Sequence, residues 1–174
     1  MVEVKRFTTT LTFAGGDKVQ KRLIAVLLAV LAVFTFVPAA SASGHAELTD
    51  IRTGKHDGFE RIVLDFTGLP GNYLSRETTE VSNCASGNPV PVQGAKILDT
   101  VLYGAATYDE NFDPTYTGPR NFVPQGLTNV KGVAITCDFE GTLGIAVGYA
   151  NPHSYHKVFT LTGPDRLVID VYSF

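Results

Sequence analysis

The sequence has no tryptophan, one methionine and only two cysteines in 174 residues. Two cysteines cannot build a disulfide-dense miniprotein or a multi-cysteine zinc site. A G-x-S-x-G nucleophile elbow is missing, and so is any Cys–His arrangement of a recognised catalytic type. The longest uncharged, mostly apolar run, Leu23 to Val37, is shorter than the about 20 residues that a membrane span needs. Beyond residue 42, no segment keeps a helical apolar period over about eleven residues.

What surrounds the apolar run gives it a meaning. Lys18, Lys21 and Arg22 precede it, Pro38 breaks it, and Ala40-Ser41-Ala42 supplies the small residues that signal peptidases accept. The pattern predicts a cleavable export signal in residues 1–42 and a secreted domain in residues 43–174, with no stable membrane span after cleavage. The alternative is an uncleaved N-terminal anchor. No cysteine follows the run to take a lipid. Because Met1 is the only methionine and residues 1–18 only lengthen the basic region, Val19 is a second candidate start of translation. After Ala42 the chain keeps nine Lys and Arg against fifteen Asp and Glu, a net charge of −6. An acidic domain with scattered charge is a poor partner for nucleic acid or an anionic membrane surface.

Cys84 and Cys137 both remain after cleavage and would meet an oxidising exterior, so they are expected to form one disulfide. The alternative is two buried thiols. Closing a loop of that length contributes about 4 kcal/mol under the chain-entropy model.

The secreted part divides into short β-branched runs separated by Gly, Pro and Asn. Strands are expected near 47–52, 61–66, 73–81, 96–103, 130–139, 142–149, 157–161 and 166–172. About eight short strands with turns between them predict an all-β, antiparallel sandwich. Period-two alternation puts Ile62, Leu64 and Phe66 on one face of their strand, and Arg61, Val63 and Asp65 on the other. The last strand repeats the pattern from Arg166 to Val171, with Leu167, Ile169 and Val171 facing the core. These two copies of an R-h-V-h-D-h pattern (h apolar) suggest equivalent half-exposed strands. Arg61, Asp65, Arg166 and Asp170 are then expected to make cross-strand ion pairs on a solvent face, or to meet polar groups of a cell-wall glycopeptide.

The longest irregular stretch, 104–129, holds three prolines, three glycines and the aromatics Tyr108, Phe112, Tyr116 and Phe122. Loops this long are uncommon in compact domains and are often functional. Tyr108, Phe112 and Tyr116 are candidate sugar-stacking residues, against the alternative that they pack the loop on itself. Asp109, Asn111 and Asp113 have the spacing that opens a calcium loop, but Pro114 and Arg120 stand where such a loop needs Gly and Glu, so a polar turn is expected. His56, His153 and His156 fall in or beside turns. They would support a small hydrolase only if their loops converged on one pocket. No metal or other cofactor is expected.

Three segments resemble the AMIN-like domain of exported actinobacterial proteins. Thr53 to Phe66 is similar to its opening strand pair, Asp138 to Gly144 to its middle hairpin, and Val158 to Val171 to its closing strands. The resemblance implies a β-sandwich related to the AMIN domain that accompanies cell-wall amidases, a module associated with binding peptidoglycan and not with cleaving it. It therefore implies a non-enzymatic envelope module whose partner is peptidoglycan or another wall component. An envelope protein adaptor using the 104–129 loop is the alternative.

Overall fold

The structure is a computed structural model and describes residues 45–173. The expected export signal and the second start at Val19 lie outside the described residues. Ten strands and no helix are found among them: β1 (Ala46–His56), β2 (Phe59–Phe66), β3 (Asn72–Thr78), β4 (Lys96–Tyr103), β5 (Ala105–Ala106), β6 (Asn121–Phe122), β7 (Val130–Phe139), β8 (Thr142–Tyr149), β9 (Tyr155–Leu161) and β10 (Arg166–Tyr172). Two five-stranded sheets form, in the orders β5-β1-β2-β10-β9 and β3-β4-β8-β7-β6. Every pairing is antiparallel except β1 with β5. This is the all-β, two-sheet architecture expected from the strand pattern.

Alternation decides what lies inside. From the first sheet, Leu48, Ile62, Leu64, Phe66, Leu167, Ile169 and Val171 point inward. They meet Leu98, Leu102, Val133, Ile135, Leu143, Ile145 and Val147 from the second. A one-residue slip of β2 would turn its whole apolar set outward, so burial of this face fixes the register.

The outer face of the second sheet is also covered. Residues 79–95 form a strap across it, with Val81, Val90 and Val92 packed on Ile97 and Ala146. Cys84 and Cys137 form the expected disulfide, Cα atoms 5.1 Å apart, and tie the strap to β7. The strap passes so close that Gly148 has no room for a side chain: a Cβ there would lie 2.1 Å from the Gln93 carbonyl oxygen.

The 104–129 stretch is less irregular than its composition suggests. It contributes β5 and β6, which extend one edge of each sheet. Arg120 donates to both Asp138 (2.9 Å) and the Thr107 hydroxyl (3.0 Å), while that hydroxyl donates to Asp138. At its far end the buried Glu60 carboxylate accepts the backbone N–H groups of Thr128, Asn129 and Val130. Among the described residues no helix is long and apolar enough to cross a membrane.

Candidate functional site

The pairing register converts the first sheet's outer face into rows. One row crosses four strands at one end of the sheet: His56 of β1, Phe59 of β2, Tyr172 of β10 and Tyr155 of β9. These rings touch in sequence. His56 stacks on Phe59 (centroids 4.7 Å apart, 9° between planes), Phe59 meets Tyr172 at 5.2 Å, and Tyr172 stacks on Tyr155 at 4.8 Å. His56 and Tyr155, the two ends, are exposed. The Lys157 ammonium lies over the Tyr172 and Tyr155 rings, 5.4 and 5.7 Å from their centroids. Its pKa is raised, first by the Tyr155 hydroxyl, so it stays fully charged at neutral pH.

The next row carries the charges. Arg61 and Asp170 are register partners, and the guanidinium grips the carboxylate through Nε (2.6 Å) and Nη2 (2.8 Å). Arg61 also lies near two rings, 5.1 Å from the Phe59 centroid and 5.7 Å from that of Phe159. Asp170 is 2 % exposed. A buried carboxylate held in this way fixes the arginine; it is not presented to a ligand. β10 is therefore not the half-exposed equivalent of β2: Val168 and Asp170 on its outer face are buried, between the side chains of the strands on either side.

Asp65 and Arg166 are also register partners, yet they do not pair. Arg52 of β1 takes Asp65 instead, through Nε (2.6 Å) and Nη2 (2.7 Å). Arg166 turns its Nε to the Pro164 carbonyl at 3.0 Å. Of the four expected residues on this face, the structure thus brings all onto adjacent strands but makes one of the two expected ion pairs.

The expected aromatic residues of the long loop separate. Tyr116 is 6 % exposed within the core and donates its hydroxyl to the Pro119 carbonyl, so it has no face to offer a ligand. Burial pushes its pKa up. Tyr108 and Phe112 stack at 5.4 Å, with Phe112 78 % exposed at a turn where its own φ is 64°. The Asp109 carboxylate closes that turn, accepting the N–H groups of Asp113 (2.9 Å) and Asn111 (2.8 Å). The donors hold it below the usual carboxylate range, Asp113 first. The calcium-like spacing is that of a polar turn.

The three histidines do not share a surface. His56 lies on the outer face, while His156 is on the inner side of β9 with Nδ1 3.3 Å from Glu77 Oε1, a contact too poorly aligned for a hydrogen bond. Glu77 is held below its ordinary range, first by Lys96 at 2.8 Å, and it also accepts the Tyr149 hydroxyl at 2.9 Å. His153 sits in the β8–β9 turn, its backbone N–H on the Asn151 side chain.

Sequence reasoning missed Phe59, Tyr155, Tyr172 and Lys157. A signal existed for Phe59: two residues before Arg61 on the same strand, alternation puts it on the same face. Nothing local could unite it with Tyr155 and Tyr172, because that depends on β10 inserting between β2 and β9.

A hollow of about 450 Å³ lies on the other side of the sandwich, beside the disulfide. Arg76, Glu80, Asp99 and several hydroxyls line it, and no aromatic ring does. Its formal charge is negative, and Arg76 is already engaged with Asp99 at 3.0 Å. The ring-and-arginine face is the better equipped of the two for a polymer.

A comparison with curated proteins finds no match to this sequence. A family model for the AMIN-like domain matches residues 46–173, which spans all ten strands. The chain belongs to the AMIN-like domain family.

Proposed function

We propose that this protein is a secreted, non-catalytic module of the cell envelope that binds peptidoglycan through the outer face of the β5-β1-β2-β10-β9 sheet. The carrying observation is the four-ring row from His56 to Tyr155, set beside Arg61 and Lys157 on a sheet face. The rings pack on one another and beneath Arg61 and Lys157, so the row offers a continuous apolar ridge with cationic neighbours, on which the C–H groups of sugars can rest while their hydroxyls meet the polar side chains. A row that crosses four strands, which lie about 5 Å apart, is about 15 Å long, a span suited to consecutive rings of a glycan strand. Membership of the AMIN-like family supports an envelope role, and the Cys84–Cys137 disulfide fits an oxidising compartment.

The test is co-sedimentation of the domain from Ser43 with insoluble peptidoglycan. Saturable pelleting is expected for the wild type. An aromatic contact is worth about 0.5–1.5 kcal/mol, so Tyr155→Ser with Tyr172→Ser should weaken binding about tenfold or more. Equal binding by the double variant would remove the row from the account.

Phe112 supports a second reading. An apolar ring that is 78 % exposed at the tip of a well-hydrogen-bonded turn is suited to a protein groove, as an envelope adaptor would require. Phe112→Ser should leave peptidoglycan pelleting unchanged and abolish capture of a protein partner.

A further inference from the structure

The first sheet's outer face carries a feature that ring stacking does not require. A shallow hollow of about 260 Å³ is bordered by Arg52, Arg61, Arg166 and His56 around Gly54 and Val63, with no carboxylate among its lining residues. In a domain whose residues beyond Ala42 sum to −6, this is a local reversal of sign.

The three arginines are not equivalent. Arg52 and Arg61 each spend their Nε and Nη2 donors on Asp65 and Asp170, which hold the guanidinium groups in place and leave Nη1. Arg166 spends only Nε, on a carbonyl, and has no carboxylate partner among the described residues. Its Nη1–Nη2 edge stays open. Two parallel N–H donors on a planar edge match the two oxygens of a carboxylate. Asp65 and Asp170 neutralise Arg52 and Arg61, with Asp50 also acting on Arg52 from the neighbouring register position, so Arg166 is the cation left to meet a carboxylate.

Gly54 makes the room. It lies on β1 between Arg52 and His56, in ordinary strand conformation, and a Cβ there would meet only His56 Nε2 at 3.7 Å. Any larger side chain would enter the hollow. The glycine is not required by the backbone, so its effect is to keep the surface concave.

We propose that this hollow is a carboxylate subsite, which binds an acidic group of a wall glycopeptide whose sugar rings lie on the aromatic row. The inference rests on the wall-binding reading above. Planar carboxylates fit a shallow hollow on a sheet surface, and the arginine edge supplies direction as well as charge.

The test compares native peptidoglycan, the same material with its carboxylates converted to amides, and material still carrying phosphodiester polymers, all at low salt. The wild type should bind the amidated material about tenfold more weakly than the native, the loss expected for one charge-assisted contact. Arg166→Gln and Gly54→Val should lose the same factor on native material and nothing further on amidated material. Equal wild-type affinity for native and amidated material would overturn the subsite and leave wall binding standing. A loss that follows removal of the phosphodiester polymers instead would overturn the carboxylate assignment. Absence of binding to every polymer would overturn both readings. Because the amidation arm uses unaltered protein, a misfolded variant cannot obscure the result.

Discussion

At the scale of single residues, Glu60 shows how a charge can be buried without an ion pair. It is 3 % exposed, and its two oxygens accept the N–H groups of Thr128 (2.6 Å), Asn129 (3.0 Å) and Val130 (2.6 Å), with the Thr128 hydroxyl at 2.9 Å. Burial by itself would raise its pKa; the donors outweigh burial and hold the carboxyl below its ordinary range, Val130 first among them. The consequence for stability has a definite sign. A carboxyl whose pKa is lower in the folded state stabilises the fold fully above its unfolded pKa, about 4.3. That contribution is lost as pH falls through the lower folded value. Glu60→Gln turns an amide NH₂ toward backbone donors and should cost about 2–3 kcal/mol at pH 7. The difference from wild type should shrink at pH 3, a comparison that urea denaturation at the two pH values makes directly. Alternation carries Glu60 onto the inward face with Ile62 and Leu64, but nothing in the sequence marked its donors, which lie almost seventy positions away at Thr128 to Val130. Gly148 was equally silent, and its cause is as distant: the Gln93 carbonyl leaves it no side chain. Gly148→Ala should destabilise by about 2–3 kcal/mol, as overpacking does, read as a lowered thermal midpoint.

Among elements, local chemistry and pairing divide the information. The bounds of β4, β7, β8 and β10 follow from β-branched runs closed by turn residues, and the structure reproduces them. β1 runs on to His56 and β2 starts at Phe59, because the Asp57-Gly58 turn joins them directly, with Gly58 at a φ of 83°. The two-residue β5 and β6 carry no periodicity to detect. They exist because β1 and β7 have free edges to be paired. The strap is the element that covalent chemistry controls. Beyond the disulfide it is held to the sheet by a small apolar cluster, by the close approach of Gln93 to Gly148, and by hydrogen bonds such as Cys84 N–H to the Thr136 carbonyl at 3.1 Å. Replacing both cysteines by serine should cost about 4 kcal/mol. Hydrogen exchange should show amides of residues 81–93 losing protection first, while those of β2 and β10 keep theirs. Uniform loss would mean that the disulfide supports the whole sandwich and not the strap.

On the scale of the whole molecule, the two sheets are unequal. The strap and its disulfide cover the outer face of one, and nothing comparable among the described residues covers the other, where His56 and Tyr155 stay exposed. A sandwich needs only its inner faces for a core, so the rings and arginines on the open face contribute little to closing it. This asymmetry is the reason to seek the ligand there. The sequence made half of this visible: alternation put Arg61 and Asp65 on an outward face, and the repeated pattern added Arg166 and Asp170. It was silent on which strands are neighbours, and so on the ring row, on the burial of Asp170 and on the exchange of Arg166 for Arg52 as partner of Asp65. Tyr116 joined the core because the long loop folds back over the sheet edge through Thr115, whose hydroxyl donates to the Leu48 carbonyl at 2.9 Å. The most direct test of the open-face assignment is to titrate the isotope-labelled domain with soluble peptidoglycan fragments and to map amide shifts by NMR. The perturbed amides are expected to cluster at residues 52–61, 155–159 and 166–172. Perturbations confined to 108–113, or to the hollow around Arg76 and Asp99, would contradict that assignment.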